Sequence, residues 1–124
     1  MIELRRALHS YLRSIHPRVY FQRAAETAQF PYLVYRFEVM DDGEGFQVIT
    51  LDIDGWDRPA TGDTTELENL MAAANDGMNK ATLGTQDLVV SFYLESKLPL
   101  LDDDDPKIHR RRYTYQGRMF ERRC

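Results

Sequence analysis

Apolar residues recur along this chain with two different periods. From Ile2 to Ile15, the residues Leu4, Leu8, Tyr11, Leu12 and Ile15 stand at i, i+4, i+7, i+8 and i+11, the spacing that lines one face of an α-helix. Pro17 closes this segment, because the residue before a proline is pushed out of the helical region. The period then falls to two. Arg18–Gln22 is a short strand candidate, and the polar, Ala-rich Arg23–Gln29 fits either a helical turn or a loop. Pro31–Met40 places Leu33, Tyr35, Phe37 and Val39 on one face and Tyr32, Val34, Arg36 and Glu38 on the other. Gln47–Asp57 opposes Ile49, Leu51 and Ile53 to Val48, Thr50, Asp52, Asp54 and Trp56, an apolar strand face against a mostly polar one. The intervening Asp41-Asp42-Gly43-Glu44-Gly45 carries Asp-Gly between two alternating runs. That signals a hairpin and predicts that these two strands pair antiparallel.

A second helix is predicted from Leu67, Leu70, Met71, Ala74, Met78 and Ala81. Asp63, Thr64 and Thr65 offer N-cap oxygens, with capping-box spacing at Asp63–Glu66 and Thr65–Glu68. The pattern runs to about Leu83, with Gly84 as the C′ glycine and Asp76-Gly77 as a weak point inside. Asp87–Glu95 is a strand with two fairly apolar faces, expected to be covered on both sides. Pro99–Pro106 is a loop, and Lys107–Glu121 is a last strand with Tyr113 and Tyr115 opposite Arg110, Arg112, Thr114, Gln116 and Arg118. The order α-β-β-β-α-β-β predicts an α+β fold. It is expected to have a mostly antiparallel sheet of about five strands packed by two helices, with Gln47–Asp57 at its centre.

A chain of 124 residues predicts a single domain over 1–124. A net charge of −4 sets up no global field that calls for a polyanion. Cys124 is the sole cysteine and the last residue, so no disulfide can form within the chain, and its thiol is expected to be incidental. The N-terminal stretch has no apolar core of a secretory signal. No run approaches the ~20 apolar residues of a membrane span, and no membrane partner is expected.

Catalytic motifs are missing from the pattern. Asp52 and Asp54 share a strand face with Asp57 nearby, and two such carboxylates can hold Mg²⁺ or Mn²⁺ in a metal-dependent nuclease. The plainer reading is the wet face of a half-buried strand. Asp41, Asp42 and Glu44 form an acidic hairpin tip without the remaining ligands of a calcium loop. His9, His16 and His109 lack the spacing of a zinc site. No metal, cofactor or small-molecule substrate is expected. Arg110–Tyr115 combines arginines with tyrosines, which suits a nucleic-acid-binding or adaptor module, although the acidic run Asp102, Asp103, Asp104 and Asp105 just before it would compete with phosphate. The charge layout is more telling. Glu38–Glu68 is acidic and Lys107–Arg123 basic, a segregation that suits head-to-tail self-association or mutual neutralisation within one chain.

The layout resembles a family. Phe30–Tyr35 reads F-P-Y-L-V-Y, a hairpin leads into V-I-T-L-D-I-D-G-W (Val48–Trp56), and a helix follows with L-E-N-L-M-A-A-A-N-D-G-M-N-K (Leu67–Lys80). In this it is similar to the small tail-terminator, tail-completion and head–tail joining proteins of long-tailed bacteriophages and prophages. The resemblance implies a non-enzymatic α+β subunit that assembles into a ring, typically a hexamer, between the tail tube and the head connector. Such a subunit would be a virion component assembled in the bacterial cytoplasm and would read no nucleic-acid sequence. The inter-subunit surface is then expected to set Arg110, Arg112 and Arg118 against Asp52, Asp54 and Asp57. The partner-contact loops are expected at Asp41, Asp42 and Glu44 and at Asp102–Asp105.

Overall fold

The computed structural model describes residues 2–41, 46–100 and 107–121, with the side chains of 100 and 121 excepted. Asp42, Glu44, Asp102–Asp105 and Cys124 lie outside the described residues. The elements follow as α1 (Ile2–Ile15), β1 (Val19–Phe21), β2 (Tyr32–Asp41), β3 (Gln47–Asp57), α2 (Thr65–Met78), β4 (Thr82–Gly84), β5 (Leu88–Leu100) and β6 (His109–Glu121). They build one six-stranded sheet in the order β1-β2-β3-β6-β5-β4. The predicted hairpin forms, with Leu33 opposite Gly55 and Val39 opposite Ile49. On its other side β3 pairs antiparallel with β6, with Leu51 opposite Tyr115, which puts Gln47–Asp57 at the centre of the sheet.

Three expectations are corrected. The sheet is mixed, because β1 runs parallel to β2, with Val19 beside Leu33, while the other neighbours are antiparallel. The alternation of side chains carries no direction, and the ten-residue return between β1 and β2 has no helix to announce a crossover. The helix α2 stops at Met78 rather than near Leu83. Asn79 leaves the helical region, Lys80 turns left-handed at φ 65°, and Lys80 N–H donates to Phe92 O at 2.8 Å. The released residues 82–84 form β4, a sixth strand against β5. Finally, β5 is not covered on both sides: Phe92 is buried, but its neighbour Tyr93 is 54% exposed.

Both helices pack on one face of the sheet. Leu4, Leu8 and Leu12 of α1 and Leu67, Met71, Ala74 and Met78 of α2 are buried against Leu33, Tyr35, Ile49, Leu51, Ile53, Phe92 and Tyr115. Gly77 in the last turn of α2 lets the helices approach closely, since a Cβ there would meet Ile15 Cδ1 at 2.5 Å and that side chain would have to shift, and Tyr11 Oη donates to its carbonyl. Gly55 serves the same end in β3, where a Cβ would collide with the Met71 side chain. The start of α2 is held differently from a capping box: Asp63 Oδ1 accepts from Thr65 N–H at 2.9 Å, and Thr64 makes no side-chain cap bond. Asn79 Oδ1 accepts from Leu94 N–H at 2.9 Å, beside a β-bulge between Leu94 and Ser96.

Candidate functional site

Among the described residues no helix covers the opposite face of the sheet. Alternation along four strands decides what it carries. One row across the strands is Tyr32, Trp56 and Arg110, the next Val34, Asp54, Arg112 and Leu98, the next Arg36, Asp52, Thr114 and Ser96. Further along come Glu38, Thr50, Gln116 and Tyr93, and then Met40, Val48, Arg118 and Ser91.

Asp54 is the focus of the first half of this face and is only 2% exposed. Arg112 grips it with both prongs, Nε to Oδ1 at 2.8 Å and Nη2 to Oδ2 at 3.0 Å. Arg110 donates to Oδ2 through Nε at 3.2 Å and through Nη2, and Arg36 adds Nη2 at 3.4 Å. Bidentate guanidinium–carboxylate contacts of this kind combine geometric fixity with charge. Burial alone drives the Asp54 carboxyl upward, but the hydrogen bonds and charges of Arg112 and Arg110 outweigh it and hold the group below the usual carboxylate range. Asp52 accepts from Thr114 Oγ1 at 2.7 Å and lies 3.9 Å from Arg36 Nε. Three guanidiniums facing two carboxylates leave the knot with one surplus positive charge.

An aromatic stack borders the knot. Arg110 lies 4.4 Å over the Trp56 ring, a cation–π contact. Trp56 is stacked on Tyr32 at 6.2 Å and 17°, and Tyr32 meets Phe30 at 5.2 Å. Residues 22–26 with Tyr32, Trp56 and Arg110 line a hollow of about 410 Å³. At the other end of the face, Phe46, Val48, Tyr93, Arg118 and Phe120 line a groove of about 640 Å³. Met40, Tyr93 and Phe120 are each about half exposed, and Arg118 lies over the Phe46 ring.

The structure brings Arg110, Arg112, Asp52 and Asp54 together within one chain, so the opposite charges of β3 and β6 neutralise one another internally. Arg118 stands on the same face but apart from the knot. Asp57 has the opposite parity: it is 4% exposed, and its Oδ1 accepts from Arg58 N–H at 2.8 Å. It is therefore withdrawn from the surface on which Asp52 and Asp54 lie. Asp41 ends β2, exposed, opposite Gln47.

The metal reading of Asp52 and Asp54 meets a chemical obstacle. The Asp54 oxygens already accept five N–H bonds, and a divalent cation would have to enter among three guanidiniums. Among the described residues no cluster of acids, histidines or cysteines is placed to hold a metal. The nucleic-acid reading loses its stacking platform: Tyr113 and Tyr115 lie under α2, and Tyr115 Oη donates to Asn75 Oδ1 at 2.9 Å. Arg111 points to the helix side and pairs with Glu68 at 2.7 Å. Arg36, Thr114 and Trp56 also belong to this cluster. Their parity is legible in the sequence, but the β2–β3 and β3–β6 registers that join them are not.

No family model matches the sequence, and no curated protein matches it. Among solved structures the chain matches one described as "Virion of native gene transfer agent (GTA) particle", with a TM-score of 0.74 and 15% identity. The likeness is one of fold. It runs end to end, covering 96% of this chain and 95% of the other, so the sheet and both helices fall within it.

Proposed function

We propose that this chain is a structural subunit of a phage-type particle, a tail-completion protein that self-assembles into a ring at the junction of tail and head and has no enzymatic activity. The observation that carries this reading is the end-to-end fold likeness to a virion component. It accords with the F-P-Y-L-V-Y and strand–Trp–helix features that led the sequence to the same class of protein. The site chemistry is in keeping with it. The carboxylates of Asp52 and Asp54 are tied up by arginines and a threonine rather than left poised for proton transfer, and half-exposed aromatics lie on the same face, a surface suited to contact with protein. In this reading the partners are other copies of the chain, the tail tube and the head connector. Assembly takes place in the host cytoplasm, and no DNA sequence is read.

The test is genetic and microscopic. Deleting the gene in a particle-producing strain is expected to leave heads and tails unjoined in electron micrographs, with restoration by the intact gene. Normal, infective or DNA-transferring particles that contain no copy of the chain would refute the assignment.

A further inference from the structure

The edge strands of the sheet are short, and the β5 side is guarded against pairing with another chain. β1 and β4 are three residues each. The stretch of β5 that runs past β4 carries a bulge at Leu94/Ser96, then Lys97 and Pro99, devices that discourage strand addition. The open face is not guarded in this way. Its groove is floored by Val48 and Gln116 and rimmed by Phe46, Tyr93, Arg118 and Phe120, and its charge is uneven. Positive charge is in surplus at the knot of Arg36, Arg110 and Arg112 and appears again at Arg118, with Thr114 and Gln116 between them on β6. From Arg112 to Arg118 is about 20 Å along the strand. A surface that complements this is long and narrow, acidic at two points some 15–20 Å apart, and small and neutral between them.

The chain carries such a surface on its other side. The outer stripe of α2 reads Glu66, Asn69, Ala73 and Asp76, with Ala72 beside it, all exposed. Glu66 and Asp76 are about 15 Å apart along the helix axis. Glu68 is excluded from this stripe, being paired with Arg111 of its own chain. The alanines allow close approach of a helix to a sheet, and the acids reach the two cationic points.

We propose that the open sheet face of one copy receives the outer face of α2 from a second copy, with Glu66 and Asp76 meeting Arg118 and the Arg36–Arg112 side of the knot. This inference rests on the ring reading above and names its contact. The two surfaces lie on opposite sides of the molecule, so the interface is heterologous and each copy can both give and receive, as a closed ring requires. The helix that covers one face of its own sheet would then cover the vacant face of the next.

The test is sedimentation velocity over a concentration series at low and moderate salt, on the full chain and three variants. The first reverses the helix charges, Glu66→Lys with Asp76→Lys. The second is Arg118→Glu, and the third combines all three changes. Either reversal alone is expected to raise the concentration for half-assembly by roughly tenfold or more, and the combination to assemble better than the helix variant alone, since opposite charges again meet at position 118 while like charges still meet at the knot. Unchanged far-ultraviolet circular dichroism and melting temperature show that the variants fold. If the unaltered chain assembles and the helix variant assembles equally well, the α2 contact is wrong while the ring reading stands. If the unaltered chain stays monomeric throughout, the ring reading fails in solution and the contact fails with it.

Discussion

The two faces of this sheet are made by alternate residues of the same strands, yet different forces hold them. On the covered face, Ile49, Leu51 and Ile53 are wholly removed from water beneath α2, and the gain is the non-directional one of apolar burial. On the open face the intervening residues, Asp52, Asp54 and Trp56, are fixed by directed contacts: a bidentate arginine, a hydroxyl and a cation–π stack. The first kind of face is expected to determine whether the chain folds. The second is expected to determine what it meets, because its order costs side-chain entropy that a solvated surface has no need to spend.

The largest effect should come from the covered face. Leu51→Ala is expected to cost about 3 kcal/mol in urea unfolding, since it opens a cavity between β3 and α2. The loss should appear in stability and reach assembly only through unfolding. A cost below about 1 kcal/mol would mean the core is looser than drawn here.

Asp54→Asn should come next, at about 2–3 kcal/mol. It leaves three guanidiniums facing a neutral amide, a penalty moderated by the partial solvation of the arginines. The comparison can be sharpened with acid. The folded-state pKa of Asp54 is depressed, so its contribution is present above the unfolded carboxylate value near ~4 and is lost as pH falls through the lower folded value. The stability gap between the native chain and Asp54→Asn should therefore be full at pH 6 and narrow as pH falls below about 4. A gap of unchanged size on acidification below that value would contradict the ionic account of the open face.

The covered face answers to alkali instead. Burial pushes the Tyr35 hydroxyl up to about 12, and burial followed by the neighbouring Tyr113 raises Tyr115 further. Their neutral forms support the fold fully below the unfolded tyrosine value of about 10, and that support fades as pH rises through the folded values. Spectrophotometric titration should show these two tyrosines ionising late and together with unfolding. The smallest stability effect, within about 0.5 kcal/mol, is expected for Glu66→Lys with Asp76→Lys, whose consequence should be confined to assembly.

Much of the covered face could be read from the sequence, because burial writes a period into the chain. The ends of α1 and the parity of β2, β3 and β6 follow from it directly. What the pattern does not carry is pairing. The parallel partnership of Val19–Phe21 with β2 and the alignment of Asp54 with Arg112 depend on which strands become neighbours. The end of α2 departs from the pattern for a related reason. Asn79 to Leu83 continues a plausible helical pattern, but Asn79 and Lys80 are drawn off by hydrogen bonds to β5, a tertiary influence on a weak local preference. On the open face, the acids of β3 and the bases of β6 are expected from the sequence to meet across a subunit boundary, and the register instead joins Asp52 and Asp54 to β6 within one chain.

The measurement that bears most directly on the working role of the open face uses Trp56, the only tryptophan in the chain, which lies on that face under Arg110. Acrylamide quenching of its fluorescence should be followed together with solution mass by light scattering as concentration rises. The account predicts that quenching falls as mass increases, because the face is covered by a neighbour. A rise in mass with quenching unchanged would contradict it and would place the contact between subunits elsewhere.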